Sequence, residues 1–265
     1  MPLPPFEVQK GIAAFINKEF SSLDEAKEQV YSVLDSSEER KQSILHKTFT
    51  GELTEKWRAI NNISISSWKH KPLIDVCSGL KYGTLSKSVK QGKIAVVRMG
   101  NLQHGEIEWN DPVYSNNEAD NEKYKLKDGD VLFNRTNSPE LVGKTSIYRG
   151  QQPTIYAGYL IKLDYGDELI GEYLNFIMNS PEAKKFCNSV KTDGVNQSNI
   201  SAKKIGEFVI PVPAIAEQEE IVKIVNQYVK HENYATDATD QVEEQIEQTR
   251  KSILSQAFHG ELNLK

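Results

Sequence analysis

The chain has 265 residues, 38% apolar and 26% charged, a soluble composition sufficient for one large domain or two small ones. A run of about 18 consecutive apolar residues is absent, which excludes an apolar membrane-spanning helix. Met1-Pro2-Leu3-Pro4-Pro5 lacks the basic and apolar stretches of a signal peptide, so a cytoplasmic location is expected.

A net charge of −5 speaks against a generic nucleic-acid coat protein, yet the charge is uneven. Residues 68–213 carry 19 Lys+Arg against 17 Asp+Glu, whereas the remainder carries 13 against 20. The two cysteines, Cys77 and Cys187, stand far apart with no CxxC spacing, which predicts reduced, partly buried thiols and no metal site.

From the start of the chain the sequence reads as a proline-rich approach followed by a long helix. Ile12, Ile16, Glu19, Leu23, Ala26, Val30, Val33, Ser37, Arg40 and Ile44 alternate four and three apart, and seven of these ten are apolar. That spacing is the coiled-coil pattern, in which polar seam residues weaken the contact but fix its register. The same pattern returns at Ile221, Val225, Tyr228, Glu232, Ala235, Thr239, Val242, Ile246, Thr249 and Ile253. The two segments are copies. At an offset of 209, 15 of the 52 positions from Pro2 to Leu53 are identical, most densely where Ser43–Leu53 meets Ser252–Leu262. Gly51 and Gly260 punctuate the two helix ends. Rods of about 37 residues, roughly 55 Å at helical rise, cannot bury an apolar stripe alone, so an antiparallel pair is expected.

Between the copies the pattern changes. Short β-branched runs at 94–99, 131–134, 146–148, 160–163 and 208–211 are separated by Gly and Asp-Gly turn signals. One helix is predicted over 171–179. A second follows Ser180-Pro181, with serine as N-cap and proline in the first turn. The predicted fold is α+β: a mostly β domain flanked by two long α-helices forming an antiparallel coiled coil. The predicted boundaries are 1–56 (helical), 57–213 (central domain) and 214–265 (helical).

Several strings carry a resemblance: Glu39–Leu45 running on to Phe49–Leu53, its echo at 250–262, Val131-Leu132-Phe133-Asn134-Arg135, and Leu141-Val142-Gly143-Lys144. With them stand Gln197-Ser198-Asn199-Ile200, leading to Ile210-Pro211-Val212-Pro213, and Ala216–Val222. In this order they resemble the specificity subunits of type I restriction-modification enzymes. The resemblance implies a non-catalytic subunit that reads double-stranded DNA and docks methyltransferase subunits, with restriction subunits as possible further partners. Such subunits usually hold two target-recognition domains. One domain between two helical regions departs from that pattern and suggests a homodimer reading an interrupted palindrome.

Three polar segments suit contact with duplex DNA, where amides and guanidinium groups read bases and cations meet phosphates. The first offers Lys81, Tyr82, Thr84, Ser86 and Lys87, with Arg98 in the same acid-free stretch, Val76 to Gly105. The second offers Arg135, Asn137 and Lys144, with Asn134 suited instead to capping a turn. The third offers Lys191, Gln197 and Asn199. Each segment equally fits a solvated loop, and a coiled-coil adaptor whose centre binds protein is the alternative function.

Enzyme readings are weak. Leu3-Pro4-Pro5-Phe6 imitates a methyltransferase motif, but Leu3 lacks the amide or carboxylate that grips an amine. Asp164 with Glu182-Ala183-Lys184 has nuclease letters at a spacing common by chance. His46 and His259 stand beside helix ends, where capping is the expected role. No cofactor is expected.

Overall fold

The computed structural model describes residues 4–262, the side chains of residues 33–35 excepted. In chain order the elements are α1 (Phe6–Thr50), α2 (Glu55–Ile60), β1 (Lys69–Pro72), α3 (Leu73–Val76), β2 (Cys77–Tyr82), β3 (Ile94–Val97), β4 (Leu102–Gln103), β5 (Glu106–Ile107), β6 (Tyr114–Ser115) and α4 (Glu118–Lys123). They continue with β7 (Val131–Asn134), β8 (Thr136–Asn137), β9 (Thr145–Ile147), β10 (Thr154–Tyr156), β11 (Leu160–Tyr165), α5 (Gly171–Met178), α6 (Pro181–Val190), β12 (Thr192–Asp193), β13 (Ser198–Asn199), α7 (Ala202–Gly206), β14 (Val209–Val212) and α8 (Ile215–His259). Contacts divide the chain into two compact units, Met1–Lys41 with Asn226–Lys265, and Gln42–Val225.

The first unit is the expected helix pair. Both parent helices run 45 residues, longer than the periodicity suggested. Pro5 immediately precedes α1, its carbonyl accepting from the Val8 and Gln9 amides at 2.9 and 3.0 Å, and its missing N–H is one the helix does not use. The pairing is antiparallel: Asp24 meets Arg250, Lys27 and Tyr31 meet Glu243, and Ser37 and Arg40 meet Glu232.

Arg40 and Glu232, both expected on the seam, form a fork. Nε and one Nη of Arg40 each donate to a Glu232 oxygen at 2.9 Å, and Ser37 adds a third bond at 2.6 Å. The Arg40 hydrogen bond is the main reason the Glu232 carboxyl is held down at about 2.

The seam differs from the expectation in the second half of α8. Val242 and Thr249 are exposed, and the half-buried positions are Glu243, Arg250 and Ile253, with Ile246 buried. A strict 3.5-residue repeat drifts about 20° per heptad around an α-helix. After Thr239 the inward face takes Glu243 and Arg250 in place of Val242 and Thr249, while Ile246 and Ile253 stay inward as expected. Val33, the seam residue opposite in the repeat, lies outside the described side chains.

The second unit is built on a six-stranded sheet of order β2-β11-β7-β9-β5-β4. All neighbours are antiparallel except β5 and β9. Val131, Leu132 and Phe133 are fully buried, as a continuous apolar run in a central strand requires. One sheet face packs Leu132 and Leu160 against Val97, Leu102, Tyr148 and Tyr156. Smaller sheets have orders β10-β3-β6 and β12-β13-β8, and β1 pairs with β14.

The helix signals hold locally. The Ser180 hydroxyl accepts from the Ala183 amide at 3.2 Å, and Pro181 opens α6. Gly51 and Gly260 follow their helices at φ 81° and 74°, a conformation costly for any residue with a Cβ. Cys77 and Cys187 are buried thiols, each pushed up to about 12 by burial.

The end of α8 enters this unit through a buried carboxylate. Glu217 accepts from Thr54 at 2.7 Å, from Arg58 at 2.7 Å and from the Trp68 indole at 2.8 Å. Among the described residues no helix is long and apolar enough to cross a membrane.

Candidate nucleic-acid interface

Strand register gathers the three polar segments. Tyr82 stands opposite Ile161, Leu160 opposite Asn134, and Phe133 opposite Thr145. The C-terminal ends of β2 and β7 therefore share one edge of the sheet with the N-terminal ends of β11 and β9. The parallel strands β3 and β10 end there too, since the Ala157 amide donates to the Val97 carbonyl at 3.0 Å. The chain after β2 packs directly on this turn. A Cβ on Gly83 would lie 2.1 Å from the Tyr156 carbonyl oxygen, so only glycine passes. The loops 83–93, 98–101, 135–144 and 157–159 all leave the sheet at this one end.

Arg135, directly after β7, is the best-organised side chain of the set. Its guanidinium lies over the Tyr82 ring with 4.9 Å to the centroid, and one Nη donates to Asn199 Oδ1 at 2.6 Å. Asn199 in turn donates to the Thr136 hydroxyl at 3.0 Å. Tyr82 is fixed at its far end, its hydroxyl accepting the Ala202 amide at 2.9 Å. The partners of Arg135 are neutral, so its charge stays uncompensated by them. Asn134 is fully buried and accepts the Thr136 amide at 3.3 Å, the turn-capping role expected of it.

The hairpin β12–β13 extends from this cluster. Thr192 pairs with Asn199 and Asp193 with Ser198, and β13 pairs onward with Thr136 and Asn137 of β8. Gln197 is exposed on the hairpin, and Asn137 is half-buried, its side chain accepting from the Ser138 amide at 2.8 Å.

The remaining candidates divide by partner. Lys81 is tied to Asp164, and Arg98 donates to Asp111 at 3.1 Å, so these two charges are neutralised within the chain. The Lys81 hydrogen bond is also the main reason the Asp164 carboxyl sits below its usual range. Lys144 and Lys191 instead donate to neutral oxygens, those of Gln103 at 2.8 Å and Pro139 at 3.0 Å. Lys87 is exposed and has no ion-pair partner among the described residues.

Thr84 is buried, its hydroxyl bound to Asp120, which also accepts from Ser86 at 2.6 Å. The hydrogen bonds from Ser86 and then Thr84 hold the Asp120 carboxyl below its usual range. This pair shapes the loop after β2 from within.

Sequence reasoning overlooked Asp120, Gln103 and Tyr159. Asp120 had a signal: it lies in the first turn of α4 behind the N-cap Asn117. Gln103 had none, because only the sheet register brings it to Lys144. Tyr159 had none either; its carbonyl receives the Arg135 amide at 3.2 Å. The nuclease letters are engaged elsewhere, Asp164 with Lys81 and Glu182 with His46 at 2.5 Å. That contact also takes His46 away from capping, whereas His259 does meet a last-turn carbonyl, that of Ser255, at 2.7 Å.

A mostly β unit whose polar loops emerge at one sheet end is joined in the chain to a pair of long helices. Residues 65–248 match the type I restriction modification DNA specificity domain. The chain belongs to that family.

Among relatives, the type I restriction enzyme EcoKI specificity subunit of Escherichia coli K12 is 29% identical over 99% of this chain and 57% of its own length. The StySPI specificity subunit of Salmonella potsdam is 23% identical over 99% of this chain and 57% of its own. The chain thus spans little more than half of the relatives it matches.

Two solved structures share the fold. One, from a study of complex assembly and conformational transition of the type I R-M system, has TM-score 0.75 at 20% identity, covering 99% of this chain and 62% of that one. The other, the HsdS subunit of Thermoanaerobacter tengcongensis, has TM-score 0.58 at 20% identity, covering 99% and 60%.

Proposed function

We propose that this chain is a non-catalytic, sequence-specific reader of double-stranded DNA in a type I restriction-modification enzyme. In this reading it directs methyltransferase and restriction subunits to a bipartite target in the cytoplasm and uses no cofactor of its own. Residues 57–213 are the reader, and the helical regions 1–56 and 214–265 set geometry and dock partners. Two copies form a homodimer through the helices and present two identical readers to the two halves of an interrupted palindrome.

The observation that carries the reading is the convergence on one sheet end of Arg135, Asn199 and Tyr82 with exposed Lys87 and with Lys144 and Lys191, whose hydrogen bonds go to neutral oxygens. Stacking and a neutral amide partner hold the Arg135 fork in place before binding, which favours a planar, two-point contact of the kind guanine offers. The lysines suit phosphates, which position a protein without reading sequence.

The division of labour has a direct test in fluorescence anisotropy with labelled duplexes over a salt series. Lys87→Ala and Lys191→Ala lower affinity for every duplex and reduce the salt slope by about one unit each. Lys81→Ala and Arg98→Ala change the slope less, because Asp164 and Asp111 already neutralise them. Arg135→Ala and Gln197→Ala alter which base is preferred, by about 1–3 kcal/mol at the position read. Equal behaviour of Lys87, Lys191, Arg135 and Gln197 variants refutes the assignment. Light scattering on the purified chain tests the dimer: a stable monomer that still reads a bipartite palindrome rules it out.

A further inference from the structure

The hairpin Thr192–Asn199 contains one apolar side chain, Val195, and that side chain is 99% exposed. Isolated exposed apolar residues need no explanation on most surfaces. This one contradicts the local chemistry of its position. Hairpin turns favour Gly, Asn, Asp and Ser, and the surrounding residues Asp193, Gly194, Asn196 and Ser198 obey that preference. A β-branched residue at the tip supports neither the turn nor any core.

Local conflicts of this kind are expected where a side chain serves something outside the fold. One side chain of the hairpin, Asn199 at its base, already faces the Arg135 cluster through its bonds to Arg135 and Thr136. The hairpin's ladder is the outer edge of the sheet β12-β13-β8, and beyond it the two-strand turn 194–197, closed by the Gly194 amide donating to the Gln197 carbonyl at 2.7 Å, is narrow enough for the major groove of B-form DNA.

We infer that Val195 is a specificity-determining residue that contacts the C5-methyl group of a thymine in the major groove. The inference rests on the DNA-reading function proposed above. It deepens that function by assigning the ribbon tip an apolar reading task beside the polar one of Arg135 and Gln197. Thymine is the base whose major-groove edge carries a methyl group, so an apolar tip discriminates for it with no hydrogen bond. Valine is also short. It suits surface contact with a methyl group better than wedging between base pairs, a task for longer apolar side chains.

The test uses the full chain and a duplex that the wild-type chain itself selects from a random-sequence library, followed by copies of that duplex in which each thymine in turn is replaced by deoxyuridine. Anisotropy titrations are run at two salt concentrations. One deoxyuridine replacement is expected to weaken wild-type binding about three- to fivefold, the effect of one buried methyl group. Val195→Ser loses the same factor on the thymine duplex and becomes indifferent to that replacement. Val195→Ile keeps the discrimination, and because the position is exposed all three proteins fold alike.

If wild type selects a sequence but no deoxyuridine copy binds differently, or if Val195→Ser still senses the methyl group, the inference about Val195 fails while DNA reading stands. If wild type shows no salt-dependent duplex binding and selects nothing, the reading function fails and the inference with it.

Discussion

The same eleven-residue motif occurs twice, and its two copies have different surroundings. Ser43–Leu53 and Ser252–Leu262 share sequence, helical conformation and a left-handed glycine after the last turn. In the first copy Leu45 is 3% exposed and Phe49 stacks on Phe208 at 6.0 Å. A Cβ on Gly51 would lie 2.6 Å from Ile65 and 3.1 Å from Trp68. In the second copy Leu254 is 37% exposed, Phe258 is 66% exposed, and among the described residues nothing lies within 4 Å of a Cβ on Gly260.

The motif therefore encodes how a helix ends, and not what covers it. Cover for the first copy comes from residues 54–68, which fold back and clasp Glu217 through Thr54, Arg58 and Trp68.

The sharpest way to break this comparison is to cut the clasp. Glu217 is 1% exposed and Arg58 is 7% exposed, so Glu217→Ala strands a buried guanidinium and is expected to cost about 3–5 kcal/mol. Trp57, Trp68 and Trp109 all belong to the unit Gln42–Val225, so tryptophan fluorescence during urea unfolding reports that unit alone. The paired change Arg58→Met with Glu217→Leu recovers most of the loss, because replacing both charges removes the stranded one. A single variant as stable as wild type refutes the clasp.

The comparison itself is sharpened by treating the two copies alike. Phe49→Ala removes half-buried aromatic surface packed on Phe208 and is expected to cost about 2–3 kcal/mol, below the range for a full core position. Phe258→Ala removes exposed surface and is expected to stay within about 0.5 kcal/mol. Thermal melts followed by circular dichroism check both. Equal losses mean that Phe258 is covered in solution.

How much was legible follows from the same distinction between local and distant causes. The repeat, the glycine stops, the Ser180 cap and the run Val131-Leu132-Phe133 are local signals, and the structure shows each where the sequence placed it. The family-bearing strings were legible for the same reason. The shift of the α8 seam from Val242 to Glu243 was not, because a helix face drifts continuously while a heptad count does not. The strand Thr154–Tyr156 is three residues long and gave no period to read. The clasp on Glu217 joins residues 149 to 163 positions apart, and a glutamate in a helix's first turn reads as a solvated residue until its partners arrive. At the candidate interface, residue types named the segments. Only strand register revealed that they share one end, and only partners separated Lys81 and Arg98 from Lys87, Lys144 and Lys191.

The smallest expected effect concerns the helix-pair unit, whose seam includes half-exposed ion pairs such as Arg40 with Glu232. Glu232 is held at about 2, below the value near 4.3 of an unfolded glutamate. A depressed carboxylate contributes stability that is complete above its unfolded value and is lost as pH falls through its folded value. Acidification from about pH 5 to pH 2 should therefore weaken this pair, and Glu232→Gln should remove that part of the acid sensitivity while lowering stability at neutral pH. The readout is helical circular dichroism against pH with tryptophan fluorescence in parallel, because no tryptophan lies in Met1–Lys41 or Asn226–Lys265. If the Glu232→Gln chain loses helix with the same pH profile as wild type, the fork does not hold the seam, and the register must come from the apolar positions alone.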